Sequence, residues 1–181
     1  MDSFELLAAT LLEREGYWTK TSFKVELTKA EKVKIGRPTT PRWELDVVAF
    51  KGGTNEILVV ECKSFLDSSG VSYKHLTGNH PKGVNRYKLF NESKTWRVVK
   101  KRLITQLAAT KSCSKNPKVT LCLAAGKIKS PEDRDKIQAL FDKKGWLLFD
   151  REWFKEKLSH YSKSAYENDI AAVVAKLLLK T

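Results

Sequence analysis

Residues 43–64 read WELDVVAFKGGTNEILVVECKS, two apolar strand-like runs joined by a Gly-Gly turn. Each run carries charge where a core strand should carry none: Asp46 in the first, Glu61 and Lys63 in the second. Alternate residues of a strand share a face, so Glu61 and Lys63 point with Ile57 and Val59, and Asp46 points with Val48 and Phe50. If the hairpin pairs Phe50 with Ile57, antiparallel counting sets Val48 against Val59, Asp46 against Glu61 and Glu44 against Lys63. Opposed acids, with Cβ atoms roughly 4.5–5.5 Å apart, repel unless both carboxylates hold a hard divalent cation. The reading rests on the register, because a slip by one residue sends the two acids to opposite faces. Solvated strand-end acids with a Glu44 to Lys63 ion pair are the alternative that needs no function.

The rest of the chain supplies context. In 181 residues, 34 Lys and Arg against 21 Asp and Glu give a net charge of +13, which favours a polyanionic partner, nucleic acid before an anionic membrane surface. The apolar runs are far too short to span a bilayer and the N-terminus lacks the basic start of a signal peptide, so the expectation is a cytoplasmic protein with no membrane role. Three cysteines, Cys62, Cys113 and Cys122, show no C-x-x-C spacing and read as reduced thiols.

Periodicity orders the elements. Residues 3–15 repeat apolar side chains at helical spacing up to Gly16, and residues 17–27 alternate as a half-exposed strand. The basic stretch 28–42, with Gly36, Pro38 and Pro41, reads as a loop or extended arm, and 64–90 is too long for an ordinary connection and reads as either functional or partly helical. A helix starting at Asn91 and Glu92 runs to about Ser112, strand 118–125 is apolar on both faces, and Ser130-Pro131 opens a helix to Lys144. A strand at 146–150 and helices near 151–160 and 164–180 close the chain. The sum predicts one α/β domain over 1–181, a mixed central sheet between two helical layers, with 151–181 as a C-terminal helical extension.

The spacing from Asp46 to Glu61-Cys62-Lys63, following the apolar run 57–60, resembles the PD-(D/E)XK nuclease superfamily with its restriction-endonuclease-like three-layer α/β/α fold. Leu45 stands where that family's motif has proline. The opening FELLAATLLEREGYWTK is similar to the first helix and strand of the Mrr-like branch. The likeness covers about residues 3–64 well, the next helix and strand loosely, and the last helices hardly at all.

The resemblance implies a prokaryotic-type, Mg²⁺-dependent endonuclease hydrolysing double-stranded DNA, with Mn²⁺ able to substitute. Asp46, Glu61 and the backbone carbonyl of Cys62 would ligate the metal, and Lys63 would sit beside the attacking water. Glu5 matches a helical acid that contacts the metal or its water; a first-turn acid complementing the helix dipole is its ordinary role. Gln106 is a candidate for a helical glutamine near the site, with a structural hydrogen bond as the alternative. A Holliday-junction resolvase and a non-catalytic nucleic-acid-binding subunit are the competing readings, and two-strand cleavage by so small a chain implies a homodimer.

Basic residues flank the hairpin. Lys32, Lys34, Arg37 and Arg42 precede it, Lys74, Lys82 and Arg86 follow it, and phosphate contact is their expected role. His75 and His80 lack the surroundings of a His-metal nuclease motif and read as loop residues near DNA. The five tryptophans occur in amphipathic settings and read as core.

Overall fold

A computed structural model describes residues 2–40, 42–163 and 169–179. Its five strands are β1 (Trp18–Val25), β2 (Trp43–Lys51), β3 (Glu56–Lys63), β4 (Lys118–Ala125) and β5 (Leu147–Phe149), arranged side by side in chain order. β1, β2 and β3 pair antiparallel, and β3, β4 and β5 pair parallel. The sheet is therefore mixed, as the hairpin and the later strand-helix alternation require.

Asp2 and Glu5 form a capping box that opens α1 (Ser3–Arg14). The apolar stripe of α1 (Ala8, Leu11, Leu12) buries against Val47, Ala49, Leu58 and Val60. α8 (Arg151–Lys163) and α9 (Ile170–Leu179) share this face through Phe154, Tyr161, Ala172 and Ala175. Expected as an extension, they pack beside α1 as part of a layer. Residues 164–168 and 180, assigned to the last helix from sequence, lie outside the described residues.

The opposite face carries α6 (Ser93–Ala109) and α7 (Pro131–Lys144), whose Val98, Val99, Leu103, Ile137 and Phe141 cover Val48, Ile57, Val59 and Leu121. With helices on both faces, β4 buries both of its sides: Leu121 and Leu123 in one core, Cys122 and Ala124 in the other. Each such fully buried aliphatic side chain is worth about 1.5–3 kcal/mol.

Several details differ from the sequence reading or fill it in. Residues 28–42 are not simply a loop but hold α2 (Lys29–Lys34), where Thr28 and Glu31 form a capping box and Arg102 of α6 grips Glu31 at 2.8 Å. The long connection after β3 is partly helical, one of the two readings its length allowed: three short helices, α3 (Tyr73–Leu76), α4 (Pro81–Val84) and α5 (Lys88–Asn91), deliver Leu76, Tyr87, Leu89 and Phe90 to the core. Trp18 is 83% exposed on the edge strand, whereas Trp43, Trp96, Trp146 and Trp153 pack against the two cores. α6 starts two residues later than the sequence reading, because the Glu92 carboxylate binds Arg37 at 2.7 Å and the Thr95 hydroxyl at 2.6 Å. Among the described residues no helix is long and apolar enough to cross a membrane.

Candidate active site

The hairpin has the register on which the sequence reading rests: Phe50 pairs with Ile57, Val48 with Val59 and Val47 with Val60. One step further sets Asp46 opposite Glu61. There the ladder gives way to a side chain, and the Asp46 carboxylate accepts the Cys62 N–H at 2.7 Å. The Lys63 ammonium lies 2.6 Å from Glu61 Oε1 and 3.7 Å from Asp46 Oδ2, and donates to the Cys62 carbonyl at 2.9 Å. All three side chains are about one-fifth exposed, at 23% for Asp46, 18% for Glu61 and 19% for Lys63.

The end of β3 is held tightly. Lys63 O accepts the Gly126 N–H at 3.0 Å, and a Cβ on Gly126 would meet the Ser64 carbonyl oxygen at 2.4 Å. Only glycine allows this approach of the β4 end to the cluster.

Charge is finely opposed within the cluster. Burial pushes the Glu61 carboxyl up; Lys63 pulls it down and Asp46 pushes it up again. Burial also disfavours the Lys63 ammonium, but Glu61 and Asp46 outweigh it and hold the pKa above the ordinary lysine value. Lys63 is thus a cation kept in place by two acids. The Cys62 side chain turns to the other core, and burial pushes its thiol up, so it is a neutral packing group.

Glu5 reaches the cluster around the end of the sheet. Lys51 Nζ binds the Glu15 carbonyl at 2.7 Å, fixing the last turn of α1 at the hairpin-turn end. From there α1 rises about 15 Å back to Glu5 while β2 covers about 17 Å back to Asp46, so both arrive at the same edge. Burial raises the Glu5 carboxyl, the Asp2 N–H at 3.4 Å lowers it, and the Asp46 charge raises it. Its carboxylate accepts the helix-cap N–H of Asp2, and its charge also bears on Glu61 and Cys62.

Gln106 does not join this group. Its Oε1 accepts the Glu26 N–H at 2.7 Å and its Nε2 donates to the Lys24 carbonyl at 3.2 Å, so it clamps α6 to the edge of β1. Glu44 does not face Lys63 either, pairing instead with Lys24 of β1 at 3.4 Å. The acids within reach of Lys63 leave it no reason to swing to Glu44.

The basic residues hang from the same sheet end, since 28–42 joins the end of β1 to the start of β2 and residue 64 onward leaves β3. Lys34, Arg42, Lys74 and Arg86 are exposed and Lys32 is half-buried. Arg42 pairs with Glu26 at 3.3 Å. Arg37 is engaged within the protein, bonded to Glu92 and lying 5.6 Å from the Trp43 ring centroid, so it braces α2 against α6. The Lys82 side chain lies outside the described residues.

Sequence reasoning missed Tyr87 as part of the cluster. Its residue is 1% exposed, and its phenol is pushed up to about 12 by burial, while Lys63 and Arg86 lower it and Glu61 raises it. The only signal was an aromatic residue set among basic ones in an unreadable connection.

Two carboxylates and a main-chain carbonyl converging on one positive charge are hard oxygen donors of the kind that suits Mg²⁺, and the ammonium stands in for a cation there. Among the described residues no three His, Cys, Asp or Glu side chains gather into a metal-holding group, so protein side chains would supply two ligands and water the rest. Comparison with family models, curated proteins and solved structures returned no match.

Proposed function

We propose that this chain is a metal-dependent endonuclease of the PD-(D/E)XK superfamily, restriction-endonuclease-like in fold, that hydrolyses phosphodiester bonds of double-stranded DNA. The observation that carries the reading is the Lys63 ammonium held 2.6 Å from Glu61, 3.7 Å from Asp46 and 2.9 Å from the Cys62 carbonyl. A structural ion pair needs one acid. Two acids and a carbonyl around one ammonium, at a basic end of the sheet, suit a site where a cation is exchanged. The element order and the helices on both faces of a mixed sheet support the superfamily assignment.

Asp46, Glu61 and the Cys62 carbonyl would hold Mg²⁺, or Mn²⁺ in its place. When bound, the ion lowers the pKa of a coordinated water and polarises the scissile phosphate. Lys63, on its flexible stem, orients the attacking water and offsets the negative charge that grows on the phosphoryl oxygens. Water oxygen bonds to phosphorus in line, the bond to the 3′ oxygen breaks, and that oxygen takes up a proton, leaving a 5′-phosphate and a 3′-hydroxyl. Glu5 adds negative charge at the metal edge of the cluster.

The test is incubation with supercoiled plasmid, a four-way DNA junction and single-stranded RNA, each with Mg²⁺, Mn²⁺ or EDTA. Nicked or linear plasmid with either metal and none in EDTA is the expected result. Preferential cutting of the junction would assign a resolvase, and binding without cleavage of anything would overturn the enzyme reading in favour of a binding subunit.

A further inference from the structure

Beyond the acid-lysine cluster, the same end of the sheet carries a second feature. Val71 and Ile128 form a parallel bridge that continues the pairing of β3 and β4 past Lys63 and Ala125. The chain then opens into α3 on one side and α7 on the other, leaving a cleft of about 780 Å³ between them. Crevices outside the carboxyl ends of parallel strands are where open α/β sheets bind ligands.

His75 and His80 line this cleft with ring centroids 4.6 Å apart, and Lys74, Lys129 and Lys136 surround them. Their close approach depends on Gly83, where a Cβ would fall 2.4 Å from the His75 Cα. Glu132 and Asp133 also line the cleft. The Asp133 carboxylate is occupied, accepting the Tyr73 N–H at 2.8 Å. Three lysines against two carboxylates leave one net positive charge while the His75 imidazole is neutral, and two when it is protonated. The state of His75 therefore bears on how strongly the cleft attracts an anion.

We propose that this cleft binds a backbone phosphate of the DNA and takes up a proton on His75, beside His80, as it does so. The inference rests on the DNA-cleaving reading for its ligand and adds a contact outside the acid-lysine cluster. Burial lowers the His75 pKa from its ordinary value; His80, Arg86 and Lys129 lower it further, and Asp133 works the other way. A phosphate set among these cations offsets their repulsion and raises that pKa, so binding and protonation favour each other.

The experiment measures anisotropy of a fluorescein-labelled DNA duplex with the full chain in EDTA, at pH 6 and pH 8 and fixed ionic strength. Wild-type protein binds about five- to tenfold more tightly at pH 6, and calorimetry in two buffers of different ionisation enthalpy reads net proton uptake. In His75→Gln/His80→Gln the pH ratio falls to within about twofold of unity and the proton uptake disappears, with affinity at pH 8 retained. His160→Gln, in a separate hollow with Arg14, Glu15 and Lys157, keeps the wild-type ratio. Lys129→Gln, an exposed change that leaves the fold alone, lowers affinity at both pH values and reduces the salt slope by about one. A double variant with the wild-type pH ratio and proton uptake, or Lys129→Gln with unchanged salt slope, overturns the proposal. Because metal is absent, the assay reads binding without cleavage: linked proton uptake here, together with no cleavage of any substrate in Mg²⁺ or Mn²⁺, would sink the nuclease reading and leave the cleft standing.

Discussion

The Asp46 carboxylate accepts the backbone N–H of Cys62 at 2.7 Å, at the point where the β2 to β3 ladder ends. This bond makes Asp46 both a structural cap on β3 and a candidate ligand, and the two roles separate by substitution. Asp46→Asn keeps an oxygen for the Cys62 N–H and should unfold within a few degrees of wild type. Asp46→Ala leaves that N–H without its partner and should cost about 1–2 kcal/mol. Thermal or urea unfolding of the two variants checks this, and equal stability would show the bond to be unimportant.

Lys63 separates two acids that are each about four-fifths buried. Lys63→Met removes the cation and leaves the carboxylates opposed, which should cost about 1–3 kcal/mol in EDTA after allowing for their partial exposure. A divalent cation should restore part of the loss. The expected outcome is a melting temperature that rises more with added Mg²⁺ in Lys63→Met than in wild type. No difference between the two Mg²⁺ responses would mean that the cluster does not take a cation.

Gln106 holds two main-chain groups at the end of β1, the Lys24 C=O within it and the Glu26 N–H just past it. Gln106→Ala should lower stability by about 1–2 kcal/mol through two lost hydrogen bonds. Below its melting temperature it should cleave DNA at the wild-type rate. A large fall in rate with stability intact would return Gln106 to the active site.

Glu31 ties α2 to α6. Burial works against its charge, but the Thr28 N–H, Arg102 and the Thr28 hydroxyl outweigh it, so its pKa lies below the ordinary carboxylate value. The stabilisation is complete above the unfolded-state carboxyl pKa and is lost as pH falls through the lower folded value. Glu31→Gln should therefore be less stable than wild type at pH 7, and the gap should narrow toward pH 3. DNA affinity should fall as well, since α2 carries Lys32 and Lys34; a gap that widens on acidification contradicts the assignment.

Much of this was legible in the sequence. The hairpin and its turn were plain, but its register was an assumption: both runs are apolar on both faces and helices cover both, so alternation alone did not fix which residues pair, and the structure supplies the Phe50 to Ile57 pairing. The buried β4 and the start of α7 at Ser130 were equally plain. What escaped were features set by partners distant in the chain. α2 has no apolar stripe, and Glu31 is gripped by Arg102, 71 residues away. Gln106 sits beside an apolar helical face yet bonds to an edge strand 80 residues earlier. Tyr87 enters the core from a connection of short helices with no periodicity to read. Glu44 pairs across β1 rather than β3 because β2 lies between two strands, and alternation alone does not say which neighbour a strand-end acid will choose.

The most direct test of the central claim is single-turnover cleavage of a DNA duplex by wild type, Asp46→Asn and Lys63→Met in Mg²⁺, below the lowest melting temperature of the three. The account predicts Mg²⁺-dependent hydrolysis by wild type, 5′-phosphate ends, and a rate at least about a hundredfold lower in each variant. Hydrolysis at the wild-type rate in either variant, or undiminished in EDTA, would contradict it.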